Sequence, residues 1–357
     1  MLRKGTFILM KTKIQDMTSG SPGRLIILFA IPLMLGNICQ QLYTMVDTMV
    51  VGQVAGVEAL AALGAVDFLM WVVTGISTGL TQGFSIQLSQ YYGAKDFENL
   101  RKSLAHSYRL TAFIAAGVLI LSQSFASLVL TGLHTPSNII GMSLLYLRII
   151  FCGIPATAAY NMFASALRAM GNSKTPLTAM IIASVLNVSL DILFVAGFGW
   201  GVAGAAIATV IAQSFSAVYC FLILRRIDIV HLTRADFMPA SGMNARLMKL
   251  GIPVVFQNII IGVGGLVVQY VINGYGFLFV AGFTATNKLY GLLEMAAISY
   301  GYAIVTYVGQ NLGAGKIDRI RKGVRSSMLL SLLTSLIISA AMFLFGKNIL
   351  SLFISGE

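Results

Sequence analysis

Nine long apolar runs divide this chain of 357 residues, and they constrain its fold more than any other feature of the sequence. A helix of about 20 apolar residues crosses the ~30 Å hydrocarbon core of a bilayer, and each run reaches that length. The ten-residue alternating patterns of membrane β-strands are not found in the sequence. We therefore predict an all-α polytopic membrane protein. The runs cover roughly residues 25–51, 59–90, 104–131, 139–166, 177–197, 201–224, 247–271, 278–310 and 323–345.

The composition excludes several other classes of protein. Charged residues make up 10% of the chain, against about 25% in soluble domains. The net charge of +12 lies mainly in loops, whereas nucleic-acid binding needs a basic face on a soluble domain. No Ser/His/Asp or Cys/His set indicates an enzyme, so we expect no catalytic residues and no cofactor apart from a coupling ion. The three cysteines lie inside apolar runs, without metal-ligand spacing, and are interpreted as packing residues.

Lysine and arginine occur in alternate loops, which predicts the orientation of the chain. The loops near residues 52–58, 132–138, 197–200 and 272–277 contain neither residue type, whereas the loops between them are basic. Basic loops face the cytoplasm. We therefore expect a multi-pass protein of the bacterial inner membrane with a cytoplasmic N-terminus. Residues 1–23 are predicted to be a cytoplasmic tail, largely unstructured through residue 20, with Met10 and Met17 as alternative start sites.

The chain also contains an internal repeat with a shift of about 220 residues. Six helices separate the copies, so both have the same orientation, as in the parallel repeats of secondary transporters. We predict a first six-helix lobe over residues 24–226, a cytoplasmic linker over 227–245 and a partial second lobe of three helices over 246–357. We expect three further helices in the second lobe, so that this chain is a fragment, a frameshifted reading or a truncated product. Pro32, Asn37, Gln90, Gly93, Ala94, Arg101 and Lys102 match Pro253, Asn258, Gln310, Gly313, Ala314, Arg321 and Lys322.

Several segments together resemble the multidrug and toxic compound extrusion (MATE) transporters, from about Thr18 to the end. They read GSPGRLIILFAIPLMLGNICQQLYTMVDTMVVGQVAGVEALAALG, QLSQYYGAKDFENLRK, LRAMGNSKTP, DILFVAGFGWGVAGAAIATVIAQ and VGQNLGAG. The resemblance implies two six-helix lobes around a central cleft. It also implies export of lipophilic or cationic small molecules, driven by inward Na⁺ or H⁺. We expect a monomer surrounded by lipid. Major facilitators are the weaker interpretation, because the loop GAKDFENLRK lacks their paired glycine and basic doublet.

Two acids inside the apolar runs are the strongest functional candidates, because an ionisable residue within a membrane helix costs several kcal/mol. Asp47 and Asp191 lie at a similar depth, ~9 Å below the side opposite the basic loops. Asn187 precedes Asp191 by four residues and shares its helix face, and Thr209 reaches a comparable level. Their oxygen atoms suit a small hard cation. The MATE resemblance implies the same cation site, with Na⁺ or H⁺ as the bound ion at Asp47, Asn187, Asp191 and Thr209. The alternative is that these residues only bond helices together.

Further residues are assigned on weaker grounds. Gln40, Tyr43, Glu294 and Arg148 are candidates for lining a substrate cleft, and Arg148 has the alternative of reaching the lipid interface. Pro32 and Pro155 interrupt apolar runs and are candidate hinges, because proline removes a backbone hydrogen bond. Asp67 is interpreted as a solvated or capping residue. The positions that match Asp47 in the second copy are Val268 and Gln269, so the coupling acids belong to the first lobe.

The sequence therefore predicts antiport, in which Na⁺ or H⁺ bound at Asp47 and Asp191 exchanges for an organic cation. Two alternatives remain at this point. A flippase for lipid-linked precursors would need a cationic cleft, for which Arg148 is the one candidate. An inactive truncated remnant is the other.

The predicted orientation can be tested with alkaline phosphatase fusions, because that enzyme needs disulfides that do not form in the cytoplasm. Fusions within residues 52–58 or 197–200 should be active, and fusions within 95–102 or 227–245 should be inactive. The reverse pattern of activities would place the N-terminus outside.

Overall fold

The computed structural model describes residues 14–133, 135–273 and 277–351. The regular secondary structure of these residues is helical, which confirms the predicted fold class. A π-helical turn, Ile192–Gly197, continues α6, and two 3₁₀ turns, Asp228–Val230 and Arg234–Phe237, follow α7. The α-helices are α1 (Pro22–Val54), α2 (Val57–Gly93), α3 (Phe97–Gly132), α4 (Ile140–Cys152), α5 (Ile154–Ala169), α6 (Lys174–Asp191), α7 (Gly201–Leu224), α8 (Met243–Asn273), α9 (Phe277–Gly313) and α10 (Ile317–Ser351).

The helices account for the apolar runs of the sequence, with one run divided in two. Six described helices are long and apolar enough to cross a bilayer by themselves. The fourth run forms α4 and α5, which are bent by 46° relative to each other. Pro155 lies in the first turn of α5, so the predicted interruption of this run by proline is confirmed. Pro32 instead lies within a continuous α1.

The first lobe, α1 to α7, has two hydrophobic clusters stacked along the membrane normal. We call the side that carries the basic loops the basic side. The cluster nearer to that side is built around Phe84, Leu88 and Leu104. The cluster nearer to the opposite side is built around Leu147 and Phe151. The two clusters lie toward opposite ends of the helices that they share, so the lobe is packed through its full depth.

Glycines bring the second lobe directly against the first. α2 contacts both α8 and α9. A Cβ atom on Gly83 would clash with the backbone of Gly251, and one on Gly79 would lie 2.9 Å from the Cα of Val255. Small residues allow this approach of helix backbones. The named contacts lie in the half of α2 that leads to the basic side.

The predicted repeat is visible in how the lobes touch. A Cβ on Gly93 would clash with the carbonyl of Gln310, and a Cβ on Gly313 would clash with the carbonyl of Gln90. Gly93 matches Gly313 and Gln90 matches Gln310 in the sequence. Such reciprocal contacts between matched residues require an approximate two-fold axis between the two copies, as a parallel repeat predicts.

The segment between the lobes is folded against α3. Asp236 is buried, accepts hydrogen bonds from the backbone N–H and hydroxyl of Thr233 at 2.7 and 2.8 Å, and lies 3.7 Å from Arg101. His106 of α3 contacts Asn244 Oδ1 at 2.7 Å. The predicted linker is therefore an ordered part of the first lobe's surface, and α8 begins within its predicted range.

Residues 14–20 also differ from the predicted unstructured tail. The side chain of Met17 is 0% exposed, and its backbone N–H donates to Gln310 Oε1 at 3.0 Å. The prediction that the chain is unstructured through residue 20 is wrong for these residues, because charge and polarity do not reveal that a polar segment has buried partners. Residues 1–13 lie outside the described residues.

Substitution of Gly83 by alanine should separate α2 from α8. Overpacking typically lowers the free energy of unfolding by about 1–3 kcal/mol. Gly117→Ala is the matched control, because no atom lies within 4 Å of its Cβ position. Thermal unfolding in detergent should show a lower midpoint for Gly83→Ala and an unchanged or slightly higher one for Gly117→Ala. Equal midpoints would show that this glycine contact does not support the fold.

Candidate functional site

Three helices of the first lobe bring the predicted cation-site residues together. α1 contributes Asp47, α6 contributes Asn187 and Asp191, and α7 contributes Thr209. α6 packs against both α1 and α7. The exposed fractions of Asp47, Asn187 and Asp191 are 5%, 0% and 0%, so these polar side chains lie in the interior of the lobe.

Most oxygen atoms of this cluster have no protein partner. Asn187 Nδ2 donates to Thr209 Oγ1 at 3.4 Å. Among the described residues, Asp47 Oδ1, Asn187 Oδ1 and both carboxylate oxygens of Asp191 have no hydrogen-bond partner. The carboxylates of Asp47 and Asp191 are close enough to interact electrostatically. Buried carboxylates that lack donors are unfavourable unless a cation or proton neutralises them.

The local fold explains the position of Asp191. α6 ends at Asp191 and continues as the π-helical turn Ile192–Gly197, a geometry that is frequent at functional sites. The chain then reverses into α7 through Gly199 and Gly201, with φ of 70° and 52°. Only glycine adopts these angles without strain. The glycines of the sequence indicate this reversal, but nothing in the hydrophobic pattern predicts the π-helical turn.

A second layer of polar groups adjoins the cluster. Tyr43 lies one turn before Asp47 on α1, and its hydroxyl accepts from Gln213 Nε2 at 3.4 Å. Gln213 lies one turn beyond Thr209 on α7, and its Oε1 has no partner among the described residues. Tyr146 of α4 is buried within electrostatic range of Asp47 and Asp191. The candidate residues predicted from the sequence do not include Gln213, although its four-residue spacing from Thr209 places it on the same helix face.

The other candidate cleft residues and Asp67 are exposed rather than buried with the cluster. Gln40 is exposed one turn before Tyr43, and Glu294 is an exposed side chain of α9. Asp67 is exposed, as predicted, and interacts electrostatically with Asp47. Arg148 lies in a groove between α3 and α4 with Gln123 and Cys152. The side chain of Gln269 lies outside the described residues.

The donor set fits a hard monovalent ion or a proton better than a transition metal. Within the described part of the chain, no three His, Cys, Asp or Glu residues form a cluster that could hold a metal ion. The cluster instead offers carboxylate, amide and hydroxyl oxygens, which are ligands for hard cations.

Comparison with known proteins identifies the family. The MatE family model matches residues 32–193 and 253–357, which is most of the chain. The chain belongs to the MatE family. One matched stretch lies in each copy of the internal repeat. The family consists of transporters, so the MatE protein is a multi-pass membrane protein with a role in efflux and not an enzyme.

Relatives and solved structures support this assignment. The "Probable multidrug resistance protein YpnP" of Bacillus subtilis is 31% identical over 343 residues, which cover 96% of this chain and 77% of the relative. The "Probable multidrug resistance protein NorM" of Thermotoga maritima is 26% identical and is matched over 72% of its length. A crystal structure of MATE in complex with MaL6 superposes with a TM-score of 0.91 at 23% identity, over 97% of this chain and 78% of that chain. This last match shows the shared fold.

Replacing Asp191 by asparagine should stabilise the protein in buffer without Na⁺. The substitution removes a buried carboxyl group whose oxygens have no hydrogen-bond partner among the described residues, which is worth about 1 kcal/mol or more. A gain of that size should raise the thermal midpoint by roughly 2–4 °C. Asp228→Asn, in the exposed linker, should leave the midpoint unchanged. A fall in the midpoint of Asp191→Asn would mean that its carboxylate is already stabilised by the protein.

Proposed function

We propose that this MatE protein exports lipophilic organic cations in exchange for Na⁺ or H⁺ that binds between Asp47 and Asp191. The observation that carries the proposal is the group of buried oxygens in the first lobe that have no hydrogen-bond partner among the described residues. Binding energy at such a site comes from neutralising buried carboxylates, and either Na⁺ or a proton supplies it. The relatives' names, which describe probable multidrug resistance proteins, support a drug-like substrate.

The same site provides a physical basis for coupling. Ion binding changes the charge of a buried cluster that α1, α6 and α7 share, so it changes how these helices pack. The hydrogen bond between Gln213 and Tyr43 links α7 to α1 one turn away from the cluster. A ligand shifts a conformational equilibrium only by its differential affinity for the two states. An ion that binds one packing of these helices more tightly therefore shifts the lobes between two orientations.

The direction of transport follows from the proposed topology. If the basic side is cytoplasmic, Asp47 and Asp191 lie in the half of the membrane that faces outward. An external Na⁺ or H⁺ then reaches the site from outside, and a substrate collected from the cytoplasm is released when the ion binds. The proposed cleft lies between the two lobes.

A flippase for lipid-linked precursors is less well supported. Such a protein needs basic groups for a pyrophosphate head group in its cleft. Arg148, the basic candidate from sequence, lies in the groove between α3 and α4 with Leu119 and Ile149. It is separate from the cluster of buried acids.

Ethidium efflux from cells tests the proposal. We expect Asp47→Asn and Asp191→Asn to reduce efflux at least ~10-fold, since the loss of a charge-assisted interaction exceeds about 1.4 kcal/mol. Asp228→Asn should retain efflux. The assay uses both the chain itself and a version extended by the three further helices expected of its second repeat. Efflux by neither version, with both present in the membrane, would contradict the proposal.

The coupling ion is identified in proteoliposomes with imposed gradients. Each gradient is applied alone, and the ion whose gradient drives substrate uptake by the parent protein is the coupling ion. Asp191→Asn should take up substrate under neither the Na⁺ gradient nor the pH gradient. Uptake by Asp191→Asn equal to that of the parent would separate transport from this site.

A further inference from the structure

The segment of residues 14–20, directly before α1, lies across both lobes on the basic side. On the second lobe, the carbonyl of Met17 accepts from Asn311 Nδ2 at 2.9 Å and from Arg319 Nη2 at 3.3 Å. Lys316 Nζ donates to the carbonyl of Thr18 at 2.8 Å. Arg319 Nη1 donates to the carbonyl of Gly20 at 2.9 Å. Four side-chain donors of the second lobe thus bind the backbone carbonyls of residues 17, 18 and 20.

The same segment is fixed to the first lobe. The backbone N–H of Gln15 donates to the carbonyl of Gly171 at 3.2 Å. Gly171 has φ of 89°, and a Cβ atom at this position would clash with the carbonyl of Gln15. Gln310 completes the connection, because its Oε1 accepts from Met17 N at 3.0 Å and its Nε2 donates to the carbonyl of Ala169 at 2.8 Å.

The contacts are buried rather than peripheral. Met17, Gln310 and Asn311 are each 0% exposed. Met17 belongs to a hydrophobic cluster that includes Phe29 of α1 and Tyr307 of α9. Hydrogen bonds in such surroundings are costly to break, because the separated groups lose their partners before they regain water.

A turn at Asp16 shapes the segment. Its carboxylate accepts from the backbone N–H and the hydroxyl of Thr18, both at 2.7 Å. Partial burial opposes ionisation of Asp16, but these hydrogen bonds outweigh that effect and lower its pKa below the ordinary value. The turn is therefore stable at neutral pH and weakens only under acidic conditions.

Comparison of the two repeats shows that the basic residues are specific to this contact. The repeat shift places Lys316 and Arg319 at the positions of Asp96 and Asn99 in the first copy. In the first copy, Asp96 caps its own helix by accepting from the backbone N–H of Asn99. The second copy has instead two cations that donate to the carbonyls of residues 17–20. The repeat alone does not require cations at these positions.

We propose that residues 14–20 are a strap that fastens the two lobes together on the basic side and must detach before the cleft opens to that side. The strap supplies backbone acceptors to Arg319 and Lys316 and a buried side chain to the interface of α1 and α9. Its release exposes Gln310 and Asn311 and frees the glycine contacts between α2 and α9. The link to transport rests on the proposed function, whereas the fastening of the lobes does not.

Accessibility of a buried cysteine tests the fastening without any transport. In a background without Cys39, Cys152 and Cys220, Ser89→Cys places a thiol at a position that is 0% exposed, next to Gly309 on α9. Arg319→Ala removes one of the two donors to the Met17 carbonyl and the donor to the Gly20 carbonyl, and should raise the rate of maleimide labelling from the basic side at least threefold. Arg321→Ala, an exposed residue of the same helix, should leave the rate unchanged.

A second cysteine distinguishes release of the strap from general unfolding. Ser143 lies in α4 of the first lobe and is 0% exposed, so Ser143→Cys should label equally slowly with and without Arg319→Ala. Equal labelling of Ser89→Cys in the parent, Arg319→Ala and Arg321→Ala would overturn the proposal. A higher labelling rate at both Ser89→Cys and Ser143→Cys would also overturn it, because Arg319 would then support the stability of the whole protein and not the contact between the lobes.

The consequence for transport is tested by a reversible crosslink. Thr18→Cys and Lys316→Cys, joined by a short disulfide-containing bifunctional reagent, should stop ethidium efflux, and reduction should restore it. Undiminished efflux with the crosslink in place would show that the strap stays attached during transport. If neither the chain nor its extended version shows efflux, the proposed function fails, and the labelling rates still decide whether the strap fastens the lobes.

Discussion

A chain within lipid must satisfy its backbone hydrogen bonds internally, and the rest of this structure depends on that constraint. It makes every described span helical and leaves side chains to decide how the helices pair. The hydrophobic effect does not drive this pairing, because lipid is as apolar as the helices are, so close packing must do it. Gly79 and Gly83 of α2 fit against the backbone of α8 for this reason. Polar atoms inside the lobes are costly in the same surroundings, so those without partners indicate function.

The two copies of the repeat have different roles in the molecule. The first contains the buried acids Asp47 and Asp191, with oxygens that no described donor satisfies. In the second, Lys316 and Arg319 bind the backbone that precedes α1. The matched residues around Gly93 and Gly313 still meet across an approximate two-fold axis. The lobes therefore meet in an approximately symmetric contact although their polar residues differ. A change in the charge of one lobe alters a packing surface that both lobes share.

The cluster that contains Asp47 and the strap of residues 14–20 lie toward opposite ends of α1. Asp47 is near the end away from the basic side, whereas residues 14–20 lead directly into the start of the helix at Pro22. Pro32 lies between them, within the continuous helix, where it removes one backbone hydrogen bond. A rearrangement around Asp47 therefore has a direct mechanical connection to the strap through a single helix. This continuity gives α1 a central place in the proposed exchange between two orientations of the lobes.

The sequence alone predicted the order of the apolar runs, the repeat and a similar depth for Asp47, Asn187, Asp191 and Thr209, because hydropathy and spacing depend on neighbours along the chain. It also indicated the interruption at Pro155. It could not show that Asp47, Asn187 and Asp191 are buried in the interior of the lobe, since depth along a helix does not give rotation about its axis. Nor could it show the partners of Gln213, the position of Arg148 between α3 and α4, or the burial of Met17. Each of these depends on contacts between residues far apart in the chain, and only the tertiary structure brings them together.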